Sequence, residues 1–533
     1  MLLILGLDGA DWSILDALID AGKLPHLAAL NQRSQRGVLR STIRPESSIA
    51  WATFATGVGA GRHGVYSFST QRPDSYETAL VTSASIRHPA FWQTAAAAGK
   101  RVALLNVPMT YPPQPLPGGV NVAGMLAPTT RSPFVWPPDL RQPLLKAAPG
   151  YTVALDRSGL DLRRFIAAST RSIRARTAAA SWLARQGEWE AMVVVYTETD
   201  RLQHYGLHLI DPQHPRHNPH ETTLGQELVA AYQILDEGIG HLLTLAGSDA
   251  TVIILSDHGF AACARSFRPN AWLQQEGLLA LAAQPAPSPG LWQRLRGHAG
   301  LRRLKQSLPI VQDWRRPPSP GAGLAAVDWP ATAAVFSSAG GIRFNIRGRE
   351  PQGILTPAEA ETLAAELGHK LLALVDPASG HPVLAAVHRR QDLYHGPYLD
   401  LAPDLILEPV RRHADPRRVC LLSYDLGGAV FADSGDLTGN HALEGVFMAA
   451  GPEIGPGVLH DAEIVDVAPT LLHLLGLPLP ADLDGRVLPI GGASRAVTHT
   501  AAGNPSPPPS GAPAFAPDEQ AAVEQHLRAL GYL

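Results

Sequence analysis

Residues 251–260 read TVIILSDHGF. Five apolar or β-branched residues run without a charged break and then stop on Ser256, Asp257 and His258. A strand that is apolar on both faces belongs inside a parallel sheet covered by helices on each side. Two other runs have the same form: LLILGLD over residues 2–8 ends at Asp8, and MVVVYTETD over residues 192–200 ends at Asp200. Parallel strands need long crossovers. The segments AWATFATG at 50–57 and ELVAAYQILDEGIGHLLTLA at 227–246 supply helical ones. The expected fold is therefore α/β, an α/β/α sandwich with a mainly parallel central sheet. Ligands of such sheets bind beyond the carboxyl ends of the strands, so Asp8, Asp200 and Asp257 are expected to converge there.

The 533 residues are 45% hydrophobic and 17% charged, with a formal net charge of -3. This is a globular composition with a sizeable core, and it carries no electrostatic footprint for a nucleic-acid partner or a charged membrane. An anionic ligand must be held locally. Cys263 and Cys420 are far apart and outside any CxxC pattern, so neither a disulfide framework nor a thiolate metal site is expected, and a reducing compartment fits. The N-terminus reads as a strand rather than a signal segment. No run approaches the roughly 18 apolar residues of a transmembrane helix. The expected address is the cytoplasm, and the oligomeric state is left open.

Turn and composition signals divide the chain into a first part of the catalytic core (1–262), an inserted cap (263–330), a second part of the core (331–492), a Pro/Ser/Ala-rich tether (493–517) and a C-terminal helix (518–533). The cap carries Arg294, Arg296, Arg302, Arg303 and Lys305, which read as a solvated face. The stretch HLIDPQHPRHNPHET holds His208, Asp211, His214, His217 and His220 but is broken by prolines, so it reads as a solvent loop rather than a metal site. GVGAGRHG at 57–64 lacks the Lys-Ser/Thr ending of a Walker phosphate loop.

The chemistry is expected at the strand ends. Asp200 and His204 are four residues apart, which on a helical turn puts both on one face. His441, in GNHALEGVF, would complete that set, while Asp257, His258 and Asp8 form a second. Carboxylates with imidazoles suit Zn²⁺, with Mn²⁺ or Fe as alternatives. Two such cations about 3.5–4 Å apart clamp the attacking and leaving oxygens of an in-line displacement. In RPESSIAWATFATGVGAGRHG (44–64), Pro45 stiffens the approach, a helix starts near Ser47 and Ser48, and Thr56-Gly57 closes it. A serine at that helix start can meet a phosphoryl group on free backbone N–H groups.

In this chain order GLDGADW, PESSIAWATFATGVGAGRHGVYSF, LLNVPMTYPP, TDRLQH, SDHGF, NIRGREPQGI, GNHALEGVFMAAGP and DVAPTLLHLLGLPLPADLDGRVL resemble the alkaline phosphatase superfamily. The nearest branch is the type I phosphodiesterases and nucleotide pyrophosphatases, with the related predicted phosphohydrolase/phosphomutase proteins. The resemblance implies that Asp200, His204 and His441 hold one metal, and that Asp8, Asp257 and His258 hold the other, which also binds the nucleophile. Counting back from Thr56-Gly57 puts that nucleophile on Ser47, with Ser48 one position along. The branch has Thr at the nucleophile and Asn three residues later; here they are Ser47 and Ala50, a departure that bears on nucleotide specificity. The implied function is metal-dependent hydrolysis of a small-molecule phosphate monoester or diester through a phosphoryl- or nucleotidyl-serine. The alternatives are a phosphomutase or phosphotransferase, or a binding or assembly protein that keeps the fold. A sulfatase would need a C/S-x-P-x-R signature, which SSIAW does not supply.

Overall fold

The structure, a computed structural model, describes residues 1–155, 157, 159–282, 324–409, 419–491, 496–501 and 515–529. The basic stretch of 291–305 and most of the expected tether lie outside the described residues.

The three runs that end in acids are adjacent strands. Leu2–Leu7 lies between Ala191–Tyr196 and Thr251–Leu255, parallel to both. Val102–Val107 and Val120–Ala123 extend the parallel set beyond Ala191–Tyr196. On the other side Glu444–Ala450 pairs antiparallel with Thr251–Leu255, followed by Gln35–Arg40 and Gly457–Glu463. With the short strand Val135–Trp136 at the far edge, nine strands form one mainly parallel sheet.

Side chains alternate between two cores, as a strand's period of two requires. Leu3, Leu5 and Leu7 pack on one face against the helices Trp12–Asp20, Leu162–Ala184 and Thr222–Ala246. Leu2 and Ile4 pack on the other, where Trp51 and Phe54 of the helix Ser47–Thr56 meet Ala468 and Leu471 of the helix Val467–Leu474. Burying both faces explains why these strands carry almost no polar residue.

A second, four-stranded antiparallel sheet holds Ala334–Ser337, Gly341–Phe344, Leu384–Arg389 and Leu405–Pro409, with the helix Pro357–Leu372 across it. It has its own core, centred on Phe336, Phe344 and Leu367. The sheet pattern that resumes at Ala333 therefore belongs to this body, and the chain rejoins the central sheet at Glu444–Ala450. The C-terminal helix Pro517–Ala529 docks on the first core through Val523 and Leu527.

The structure corrects the reading of the cysteines. Cys263 is fully buried and disulfide-bonded, so the cysteines lend no support to a reducing compartment. Sequence separation hid the pairing because the proximity is made only by the fold. No helix among the described residues is long and apolar enough to cross a membrane.

Candidate metal centre

Strand register brings the acids together. Gly6 pairs with Leu255, so Asp8 and Asp257 each leave the sheet two residues further on. Gly9 makes that exit possible with φ +65, and a Cβ there would stand 2.7 Å from the Phe260 ring and 3.2 Å from the Asp200 Cα. Its N–H donates to Asp257 Oδ1 at 3.2 Å. Leu7 pairs with Tyr196, after which the helix Glu198–Ile210 begins and carries Asp200 and His204 in its first two turns. His441 arrives on the strand Gly439–Ala442, which pairs antiparallel with Gly259–Ala262 and places it directly opposite Phe260.

All six expected donors meet. Asp200 Oδ1 lies 3.4 Å from His204 Nε2, 3.2 Å from His441 Nε2 and 3.9 Å from His258 Nε2. His204 Nε2 and His441 Nε2 are 3.0 Å apart. On the other side His258 Nε2 lies 3.4 Å from Asp257 Oδ2 and 3.7 Å from Asp8 Oδ1. Two groups of donor atoms close enough for one cation each emerge, Asp200–His258–His441 and Asp8–Asp257–His258. His258 stands between the two groups, its ring stacked on that of His441 at 3.8 Å.

Backbone carbonyls set the imidazoles. His204 Nδ1 donates to Gly439 O at 3.0 Å and His258 Nδ1 donates to Gly259 O at 3.1 Å. In the neutral rings this leaves both Nε2 lone pairs aimed into the site, the usual preparation of a histidine ligand.

The charges ask for a cation. Burial, followed by the charges of Asp257 and Asp200, pushes Asp8 well above the usual carboxylate range. Burial and the Asp200 charge push Asp257 up to about 7. Asp200 is itself buried, yet the imidazoles of His204 and His441 hold it well below the usual range. Burial lowers His258, and burial with the neighbouring His258 lowers His441 to about 3. Asp200 Oδ1 and Asp257 Oδ2 are buried without a well-aligned hydrogen bond, a costly state for an isolated carboxylate oxygen. Divalent cations would relieve both the repulsion and the missing partners, so the donor set fits them.

Ser47 is the first residue of its helix, with Glu46 as the capping residue and Gly57 closing the far end at φ +67. Its Oγ lies 3.2 Å from His258 Nε2 and 3.5 Å from Asp8 Oδ1. Ser48 turns away, donating to Glu46 Oε1 at 2.7 Å.

Several contributors carried no role in the sequence reading. Trp51 Nε1 donates to Asp8 Oδ2 at 3.2 Å, and Asp11 Oδ2 accepts from Phe260 N at 3.2 Å. Both residues lie within the quoted motifs GLDGADW and SSIAW, which was the available signal. The histidine-rich segment corrects the expectation of a solvent loop in part. His214 is 3% exposed, donates through Nε2 to Thr438 O at 2.7 Å, and so ties this segment to the start of the strand that bears His441. Of its members, none joins a metal-sized donor group among the described residues.

The sequence model of the type I phosphodiesterase/nucleotide pyrophosphatase family matches residues 2–415. No curated protein sequence matches the chain. Among solved structures, the phosphonoacetate hydrolase of Sinorhizobium meliloti 1021 aligns over 88% of this chain and 94% of its own, at 16% identity and a TM-score of 0.48. Human ectonucleotide pyrophosphatase/phosphodiesterase 5 aligns over 92% of this chain and 97% of its own, at 14% identity and a TM-score of 0.47.

Proposed function

Because the chain belongs to the type I phosphodiesterase/nucleotide pyrophosphatase family, within the alkaline phosphatase superfamily, we propose that it hydrolyses phosphate esters with Ser47 as the nucleophile. The observation that carries this reading is the position of Ser47 Oγ beside the expected donors, 3.2 Å from His258 Nε2 and 3.5 Å from Asp8 Oδ1. Asp200, His204 and His441 would hold one divalent cation and Asp8, Asp257 and His258 the other, Zn²⁺ being the first choice for this mixture of oxygen and nitrogen donors. When bound, such cations supply Lewis-acid stabilisation of the negative charge on the reacting oxygens.

The protein's own groups do the rest. The start of the Ser47 helix presents backbone N–H groups and the positive end of its dipole to the phosphoryl oxygens. Ser47 Oγ, its proton released to water, bonds to phosphorus as the ester P–O bond breaks and the leaving oxygen takes a proton from water; His258 Nε2 and Asp8 Oδ1, 3.2 Å and 3.5 Å from Oγ, are atoms that would hold a cation and so position this oxygen. Water then cleaves the Ser47 Oγ–P bond. Hydrogen bonds from Trp51 and Gly9 hold Asp8 and Asp257 in place throughout. The second sheet, tied to the approach to Ser47 through Arg44 and Ser338 O, would act as a cap beside this site.

A screen of phosphomonoesters, phosphodiesters, phosphonates and sulfate esters with added Zn²⁺ or Mn²⁺ tests the proposal. Turnover of a phosphate ester that chelation abolishes is the expected result. A protein that binds metal and turns over none of them is a binding or assembly protein instead.

A further inference from the structure

Resting on that reading, we propose that the cleft between the hairpin Ser69–Leu80, the second sheet and the C-terminal helix binds the organic group of the ester, and that this group is polyhydroxylated, of sugar or polyol type. The cavity measures about 650 Å³, in the range of sites that enclose a small molecule. Ser69 comes from the hairpin, Ser337, Ser338 and Tyr424 from the second body, and Gln520 and Arg528 from the C-terminal helix.

Contacts on both sides tie this cleft to the metal centre. On one side Arg44, three residues before Ser47, donates to Ser338 O at 3.1 Å and to Tyr424 Oη at 2.8 Å, while its guanidinium pairs with Glu46. On the other, His526 of the C-terminal helix accepts through Nε2 from Arg201 Nη1 at 3.1 Å, and Arg201 Nε lies 3.5 Å from Asp200 Oδ2. The helix is fixed there, with Leu527 fully buried and Glu519 accepting from Ser132 Oγ at 2.6 Å. It lies beyond residues 2–415, the span that the family model matches.

The lining chooses the ligand class. Glu524 accepts from Gln520 Nε2 at 2.8 Å and from Arg528 Nη2 at 2.9 Å, which pre-arranges an amide and a guanidinium along one wall. Opposite, the hydroxyls of Ser69 and Ser338 are bonded to each other at 2.7 Å, and a hydroxyl both donates and accepts. Tyr76 and Trp329, stacked at 3.5 Å between centroids, add flat apolar surface. Ring faces beside closely spaced donors and acceptors match a molecule that alternates C–H faces with hydroxyls; an acyl chain would take water from the remaining N–H groups and lone pairs of these residues without replacing it.

The test is a calorimetric titration of the full chain, supplied with Zn²⁺, by three probes: glucose 1-phosphate, hexyl phosphate and methyl phosphate. Glucose 1-phosphate is expected to bind at least about tenfold tighter than either of the others. The double variant Gln520→Ala/Arg528→Ala is expected to lose at least about fivefold of that preference, with its helix content checked by circular dichroism. Should the double variant unfold, Ser337→Ala on the opposite wall is measured in its place with the same expected direction. Equal affinity for all three probes overturns the cleft alone, and hexyl phosphate matching glucose 1-phosphate overturns its hydroxyl-rich character. An undiminished preference in the folded variant removes the C-terminal helix from the site. Failure of every probe to bind overturns the phosphate site as well.

Discussion

Ser47 and Ser48 are neighbours with opposite environments, and that contrast makes the nucleophile testable. Ser47→Ala removes a hydroxyl that lies against the site residues His258 and Asp8, so the expected stability cost is about 0.5–2 kcal/mol. Turnover should fall by at least about a thousandfold, as for other removals of a nucleophile. Ser48→Ala strips a hydrogen bond from the buried Glu46, so it should cost about 1–3 kcal/mol of stability and far less activity. Chemical denaturation together with steady-state rates on one diester decides; the reverse pattern would move the nucleophile to Ser48. Asp257 carries a second prediction at this scale. Pushed up to about 7 by burial and the Asp200 charge, it holds a proton below that pH in the metal-free protein, whereas a ligand must be the anion. Metal uptake then displaces this proton, and any held by the likewise raised Asp8, so affinity should fall by at least about tenfold per pH unit below about pH 7. His441, lowered to about 3, adds no such penalty at neutral pH. Titrations in buffers between about pH 6 and about pH 8 read the slope directly, and a flat profile would contradict it.

At the scale of elements, the turn that leads into the strand carrying His441 is held from outside by the histidine-rich segment. Arg216 donates to Gly435 O at 2.7 Å, to Ser434 Oγ at 2.8 Å and to Leu437 O at 3.3 Å, while His214 holds Thr438 O. Thr438 N in turn donates to His204 O at 2.7 Å, so one short turn joins two expected ligands. Arg216→Ala removes three of these ties without touching a donor atom. The expected outcome is a folded protein whose amides around 434–442 exchange faster and which binds its more weakly held metal ion at least about fivefold less tightly. Unchanged exchange there would show that this strand is held by its pairing with Gly259–Ala262 alone. That a proline-broken, polar stretch supports the site was not legible locally. It lacks any periodicity, and its role depends on an arginine reaching more than two hundred residues along the chain.

At the scale of the whole molecule, six donors from four separated stretches predict two transition-metal ions per chain, read by elemental analysis after supplemented expression. Chelation should lower the melting temperature, because each site at a hundredfold excess of free metal over its Kd contributes about 2.7 kcal/mol. A single ion per chain, or an unshifted melting curve, would refute the two-site arrangement. The sequence alone determined the features that short-range patterns encode. These are the strands buried on both faces and ending in Asp8, Asp200 and Asp257, the four-residue step from Asp200 to His204, and the helix start at Ser47. Each is local, because apolar runs, helical spacing and turn residues act over a few positions. Only the tertiary structure decided that His258 stands between both donor groups and that Trp51 holds Asp8. It likewise decided that Cys263 is bridged, that the strands after Ala333 build a second body, and that the C-terminal helix reaches Arg201. Those facts are contacts between residues tens to hundreds of positions apart, and they arise from how the sheet's register and its crossovers bring surfaces together, which leaves no periodic trace in the chain.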